Sequence, residues 1–109
     1  MFKIALAQTR VYPGNPRQNA AVMKDFIAKA KAARCDIVVF PELAIPGYFI
    51  GDIWDQPDYI DECVRFGEEI RDLSQGMAII FGNVAKETDR VNLDGRTRKY
   101  NAMFIAYNG

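Results

Sequence analysis

Ile37-Val38-Val39-Phe40 is apolar at every position and runs straight into Pro41-Glu42. Four consecutive apolar residues with β-branching suit a short parallel strand covered on both faces, whereas a strand with one wet face would alternate. Residues 77–81, Met-Ala-Ile-Ile-Phe, repeat the pattern. Parallel neighbours cannot be joined by a tight turn and need a crossover, usually a helix. These two runs therefore constrain the chain to an α/β fold.

The segments between the runs supply the helices. Residues 3–9 read as the first strand, and Pro13-Gly14 marks a turn. Asn15 is placed to cap a helix, Pro16 suits its first position, and Gln18 completes a capping-box spacing. Val22, Met23, Phe26, Ile27, Ala30 and Ala33 form its apolar stripe, with lysines and Asp25 opposite. A long aromatic loop is expected over 43–56. A second helix is expected from Pro57 or Asp58, with Tyr59, Ile60, Cys63, Val64, Phe66, Gly67, Ile70 and Leu73 on a broad apolar face, stopped by Gly76. After Gly82-Asn83 the composition turns polar, with Lys86, Glu87, Asp89, Arg90, Asp94, Arg96, Arg98 and Lys99. This stretch reads as a solvated loop or hairpin with its turn at Asp94-Gly95, and the interspersed acids dilute any phosphate-binding character. Residues 100–107 alternate and read as strand four. Asn108-Gly109 is a strong hairpin signal with no partner strand after it, so the chain reads as stopping halfway through a hairpin. The element order predicted is β-α-β-α-β-β.

Composition narrows the function. Fourteen basic and 14 acidic side chains leave a formal net charge of zero, so no global field favours nucleic acid or an anionic membrane. No apolar run approaches the roughly 20 residues that span a bilayer, and the N-terminus enters a strand rather than a signal peptide, so a soluble, cytoplasmic protein is expected. At 109 residues the chain is long enough for one core, burying about 65% of its unfolded surface. The sequence holds no histidine, which removes Ser-His-Asp and Cys-His catalysis and histidine-ligated zinc. Cys35 and Cys63 lack metal or redox spacing and read as core or near-core residues, and no metal site is expected.

The chemistry is expected at Glu42. It lies just past the carboxyl end of a strand, where ligands bind in open α/β sheets. A carboxylate beside a hydrophobic strand end can have its proton affinity raised by desolvation, which suits a general base. The same position also fits a solvated loop acid or a helix cap.

Phe40-Pro41-Glu42-Leu43 followed by Pro46-Gly47-Tyr48 resembles the segment around the catalytic glutamate of the carbon-nitrogen hydrolase (nitrilase) superfamily. The continuation Phe49-Ile50-Gly51-Asp52-Ile53-Trp54-Asp55-Gln56-Pro57-Asp58-Tyr59 is similar to the glutaminase domain of glutamine-dependent NAD synthetases. Lys3-Ile4-Ala5-Leu6-Ala7-Gln8-Thr9 resembles the superfamily's first strand. Tyr100-Asn101-Ala102 with Asn108-Gly109 resembles the strand and turn just before its catalytic lysine. The resemblance spans the chain.

It implies part of a four-layer αββα sandwich, with residues 1–109 as the N-terminal part of a single carbon-nitrogen hydrolase domain. It also implies a Glu, Lys and Cys triad that hydrolyses amides or nitriles, of which this chain carries only Glu42. The lysine and cysteine are expected beyond Gly109, neither Cys35 nor Cys63 takes the nucleophile's place, and Lys99 reads as a solvated strand end. Tyr48 is the candidate for lining the substrate pocket, or else packs on the loop with its hydroxyl at the rim. Asp52 and Trp54 are expected to fix the loop. The implied substrate is a small amide, glutamine in the NAD synthetase branch. No cofactor is implied for the hydrolase part, ATP and Mg belong to a separate synthetase domain, and a homo-oligomer is expected. The alternatives are another amidase or nitrilase of the superfamily, or a non-catalytic α/β binding fragment. A nucleotide-binding module is disfavoured because no Gly-x-Gly-x-x-Gly or Gly-x4-Gly-Lys-Ser/Thr loop occurs.

Overall fold

The computed structural model describes residues 1–48 and 50–109, and of 88–91 the backbone alone. Phe49, expected in the aromatic loop, and the side chains of Asp89 and Arg90, expected in the polar excursion, lie outside the described residues. The elements are β1 (Ile4–Leu6), α1 (Pro16–Ala32), β2 (Ile37–Val39), a 3-10 helix (Gly51–Asp55), α2 (Pro57–Arg71), β3 (Ala78–Val91) and β4 (Thr97–Ala106). This is the expected β-α-β-α-β-β order, with one short helical turn added inside the aromatic loop.

The four strands form one sheet in the order β1-β2-β3-β4. β1 pairs parallel with β2, β2 parallel with β3, and β3 antiparallel with β4. Both crossovers step in the same direction across the sheet. Because such crossovers are right-handed, consecutive steps in one direction place both helices on the same face. α1 and α2 accordingly share one core with Val38, Phe40, Ile79 and Phe81, and the Phe81 and Phe104 rings stack 5.4 Å apart.

This corrects the expectation that the strands are covered on both faces. Val38 and Phe40 are buried under the helices, while Ile37 and Val39 are only half-buried on the other side. On that open face β1 exposes Ile4 and Leu6, and β4 exposes Met103 and Ile105. The chain thus supplies one helical layer on one sheet.

Helix boundaries follow their capping chemistry. Asn15 Oδ1 accepts from Gln18 N at 3.1 Å, and Asn15 Nδ2 donates to Gln18 Oε1 at 3.0 Å, with Pro16 in the first turn. Met23, Ile27 and Ala30 are buried as expected, Val22 and Phe26 are half-buried, and Ala33 lies exposed just past the helix end. α2 starts at Pro57 and ends at Arg71, so Leu73 lies beyond it and Gly76, at φ +74, turns the chain towards β3.

The polar stretch after Asn83 is where the structure departs most from a loop. β3 runs on to Val91 and pairs with a β4 that begins at Thr97, with a register shift between Glu87 and Val91. Asp94-Gly95 is the tip of this hairpin, closed by Asn92 N donating to Arg96 O at 2.7 Å, and Arg96 N donates back to the Asp94 carboxylate at 3.0 Å. Ion pairs hold the arms down: Lys86 on Asp61 of α2, and Arg96 and Lys99 on Asp55, at 2.9 and 3.5 Å. Lys99, expected to be solvated, has a side chain only 10% exposed and lies against Asp55. At the other end of β4, Asn108 and Gly109 take φ +54 and +84, the positive pair that a type I′ turn requires. Ser74 and Gly76 anchor them: Asn108 N donates to Ser74 O, Gly109 N to Ser74 Oγ, and Gly76 N to Asn108 Oδ1.

Candidate active site

Glu42 stands at the carboxyl edge of the parallel strands, where the chain leaves β2. Phe40 N still donates to Ile80 O of β3 at 2.8 Å, and Gly82 N donates to Pro41 O at 3.3 Å, so β3 guides the first residues beyond β2. The chain then turns through 42–46, with Leu43 at φ +48. Ile45 N donates to Gly82 O at 3.4 Å and Gly47 N to Leu43 O at 2.9 Å. This turn rests on bare backbone. A Cβ at Gly82 would sit 2.3 Å from Leu43 N and 2.8 Å from both Glu42 Cα and its carbonyl carbon. Only glycine admits that approach.

Buried polar side chains hold the rest of the loop. Asn19, 2% exposed within α1, accepts from Tyr12 N at 2.7 Å and donates to Tyr12 O at 2.8 Å and Ile45 O at 2.7 Å. Tyr59 of α2 donates its hydroxyl to Pro46 O at 2.7 Å. Gly47, at φ +87, lies so close to Pro13 that a Cβ would come within 2.7 Å of its Cα. Two loops are thereby locked together under Glu42.

Glu42 itself is fixed at backbone and side chain. Tyr48 donates its hydroxyl to the Glu42 carbonyl at 2.7 Å. Asn101 Nδ2 of β4 donates to Glu42 Oε1 at 2.5 Å. The two site residues expected from sequence are thus brought together, but the Tyr48 hydroxyl donates to the main chain and the residue is 37% exposed. Partial burial, and then the Glu42 charge, raise the Tyr48 phenol above its ordinary pKa. The Glu42 residue is exposed, so the apolar desolvation expected for it is not supplied by the described residues. Trp54 is half-buried against the core, as expected of a loop-fixing residue, and Asp52 is exposed in the 3-10 helix.

Asn101, Gly82 and Asn19 were not expected from the sequence to have these roles. Asn101 carried one signal, its place in the Tyr100-Asn101-Ala102 match, but alternation alone read it as an ordinary strand residue. The cysteines are both free. Cys35 is half-buried before β2, at the opposite end of that strand from Glu42, and Cys63 is fully buried. Burial pushes the Cys63 thiol up to about 12, with the neighbouring Tyr59 hydroxyl opposing the rise and the Glu62 charge adding to it. A thiol held protonated in this way is not a nucleophile at neutral pH. Among the described residues no group of three His, Cys, Asp or Glu comes together to hold a metal, and no helix is long and apolar enough to cross a membrane.

The sequence model of carbon-nitrogen hydrolases matches residues 3–106. The chain belongs to the carbon-nitrogen hydrolase family. It is 31% identical over 83 residues to the glutamine-dependent NAD(+) synthetase of Acinetobacter baylyi, an alignment covering 76% of this chain and 15% of that protein. Among solved structures it superposes on the glutamine-dependent NAD+ synthetase of Acinetobacter baumannii with a TM-score of 0.84 at 25% identity, covering 98% of this chain and 19% of that one. An amidase from Nesterenkonia sp. shares the fold, with a TM-score of 0.67 at 20% identity over 92% of this chain and 42% of that one. The chain therefore spans less than a fifth of the length of the two synthetases. The match to a family of hydrolases and the nitrilase-like fold agree with the resemblance read from Glu42 and its flanks.

Proposed function

We propose that residues 1–109 form the N-terminal part of a single carbon-nitrogen hydrolase domain, and that this domain is the glutamine amidohydrolase part of a glutamine-dependent NAD synthetase. The observation that carries the reading is a carboxylate at the carboxyl edge of the parallel strands, tied at its carbonyl by Tyr48 and at its carboxylate by Asn101. The similarity to two synthetases supports the choice of glutamine.

On this reading Glu42 accepts the proton of a cysteine thiol as the sulfur attacks the carboxamide carbon of glutamine, because the thiolate is the competent nucleophile. A lysine offsets the charge on the carbonyl oxygen of the tetrahedral intermediate. The C–N bond breaks, ammonia leaves with a proton returned by Glu42, and Glu42 then takes a proton from the water that cleaves the thioester. Cys63 is buried and protonated and Cys35 is at the far end of β2, so the cysteine is assigned to chain outside these 109 residues, where the resemblance also puts the lysine. ATP and Mg act in a separate domain that uses the ammonia to amidate the NAD precursor. Tyr48, exposed beside Glu42, borders the glutamine site. A cytoplasmic location, in keeping with two free cysteines, and a homo-oligomeric state, as the resemblance implies, complete the reading.

The test is ammonia release by the longer protein that this reading implies, assayed with glutamine, a nitrile and unrelated amides. Glutamine should be preferred, and the 109-residue chain alone should release none. Preference for a nitrile or another amide would retain the hydrolase and remove the synthetase assignment. No hydrolysis of any of them by the intact protein would favour a non-catalytic role.

A further inference from the structure

Resting on the reading of Glu42 as the proton acceptor, we propose that Asn101 is a positioning residue that divides the labour between the two oxygens of the Glu42 carboxylate. It holds Oε1 against the sheet and leaves Oε2 to take the proton. Tyr48 and Gly82 fix only the backbone of Glu42. Its side chain has three further rotatable bonds, whose freedom opposes a fixed position. The hydrogen bond from Asn101 Nδ2 to Oε1 is what restrains them, and it joins residues 59 apart in sequence.

The donor stands on a paired strand. Asn101 faces Val84 across the β3–β4 ladder, one pleat beyond the pair of Gly82 and Met103. Side chains alternate along a strand, so Gly82, Val84, Met103 and Asn101 point to the same face. The glycine that seats the Glu42 backbone and the amide that holds its carboxylate are therefore adjacent on one surface. Groups presented from strands are placed more accurately than groups presented from loops. The chemistry leaves no choice of direction: an ionised carboxylate only accepts, so the Asn101 amide must turn its nitrogen towards Oε1. An amide does not titrate, and it remains a donor whichever protonation state Glu42 adopts during turnover.

Two measurements test this. In the first, side-chain amide spectra are recorded for the isotopically labelled 109-residue chain and its Glu42→Gln variant. The Asn101 pair should shift more than those of Asn15, Asn19, Asn83, Asn92 and Asn108, and a smaller shift at Asn101 than at these would overturn the inference. In the second, kinetics are measured on the longer protein. Asn101→Ala should lower kcat for glutamine by roughly 10- to 100-fold, the scale of a misplaced catalytic group, with KM within about twofold. Asn101→Asp, which keeps the shape but sets a second carboxylate beside Glu42, should lower kcat further. If Glu42→Gln abolishes hydrolysis while both Asn101 variants keep wild-type kcat, the positioning role is wrong and Glu42 stands. If Glu42→Gln itself keeps wild-type hydrolysis, the base assignment falls and this inference with it.

Discussion

Alanine at position 82 would put its Cβ 2.3 Å from Leu43 N and 2.8 Å from Glu42 Cα, and both neighbours are backbone that cannot rotate away. Gly82 is not among the residues with positive φ, so the cost is steric and not conformational. Forcing a methyl group into packed structure costs about 1–3 kcal/mol. The displacement also strains the hydrogen bonds from Gly82 N to Pro41 O and from Ile45 N to Gly82 O, each worth about 1 kcal/mol net. Gly82→Ala should therefore lose roughly 3 kcal/mol, a large share of the 5–15 kcal/mol typical of a domain. With a urea m-value of about 1.5 kcal/mol/M, the midpoint should fall by roughly 2 M. Gly76→Ala is the control: its φ is +74 but nothing lies within 4 Å of the added Cβ, so only the left-handed backbone penalty of about 1 kcal/mol applies. Urea unfolding of the 109-residue chain followed by circular dichroism measures both. A Gly82→Ala loss no larger than that of Gly76→Ala would refute the claim that bare backbone seats Glu42.

Three further expectations concern the rest of the molecule. Tyr48→Phe removes the donor to the Glu42 carbonyl and should cost about 0.5–1.5 kcal/mol in the same assay; an unchanged midpoint would mean that this bond does not hold the loop. Cys63 should resist thiol reagents in the folded chain while Cys35 reacts. Because burial raises the folded Cys63 pKa from 9.0 to about 12, the stability it contributes, at most roughly 4 kcal/mol, is complete below pH 9 and declines as pH rises towards 12. Denaturation midpoints that stay flat between pH 8 and 11 would contradict this. The open sheet face, with Leu6 72% and Ile105 67% exposed, should make the 109-residue chain a dimer or larger by light scattering, and Leu6→Lys with Ile105→Lys should yield monomer; a wild-type monomer would remove the face as an association surface.

Much of the fold was legible because its signals are local. The apolar runs gave β2 and the start of β3, Asn15-Pro16-Gln18 gave the start of α1, and Pro57 gave that of α2. What escaped the sequence depends on partners distant along the chain. Whether Ile37 and Val39 are covered depends on which face both crossovers choose, which follows from strand order and handedness. The polar residues after Val84 read as a loop or a hairpin turning at Asp94-Gly95; the hairpin forms, and pairing with β4 together with ion pairs to Asp55 and Asp61 decided between the two. Glu42 was legible as a carboxylate after a buried strand. Its supports were not, since Gly82 and Asn101 acquire their roles only when β3 and β4 are brought against the turn after β2. Asn19 was hidden for a similar reason: a polar residue inside a helix declares nothing until two loop carbonyls converge on it.

The central claim is that Glu42 is the proton acceptor of a glutaminase. Glu42→Gln in the longer protein preserves the size of the side chain and removes its basicity. NAD formation should then be measured twice on the same preparation, with glutamine and with added ammonia as the nitrogen source. The account predicts that glutamine-driven synthesis collapses while ammonia-driven synthesis continues at the wild-type rate. Undiminished glutamine-driven synthesis, or loss of both activities in a protein that remains folded, would contradict it.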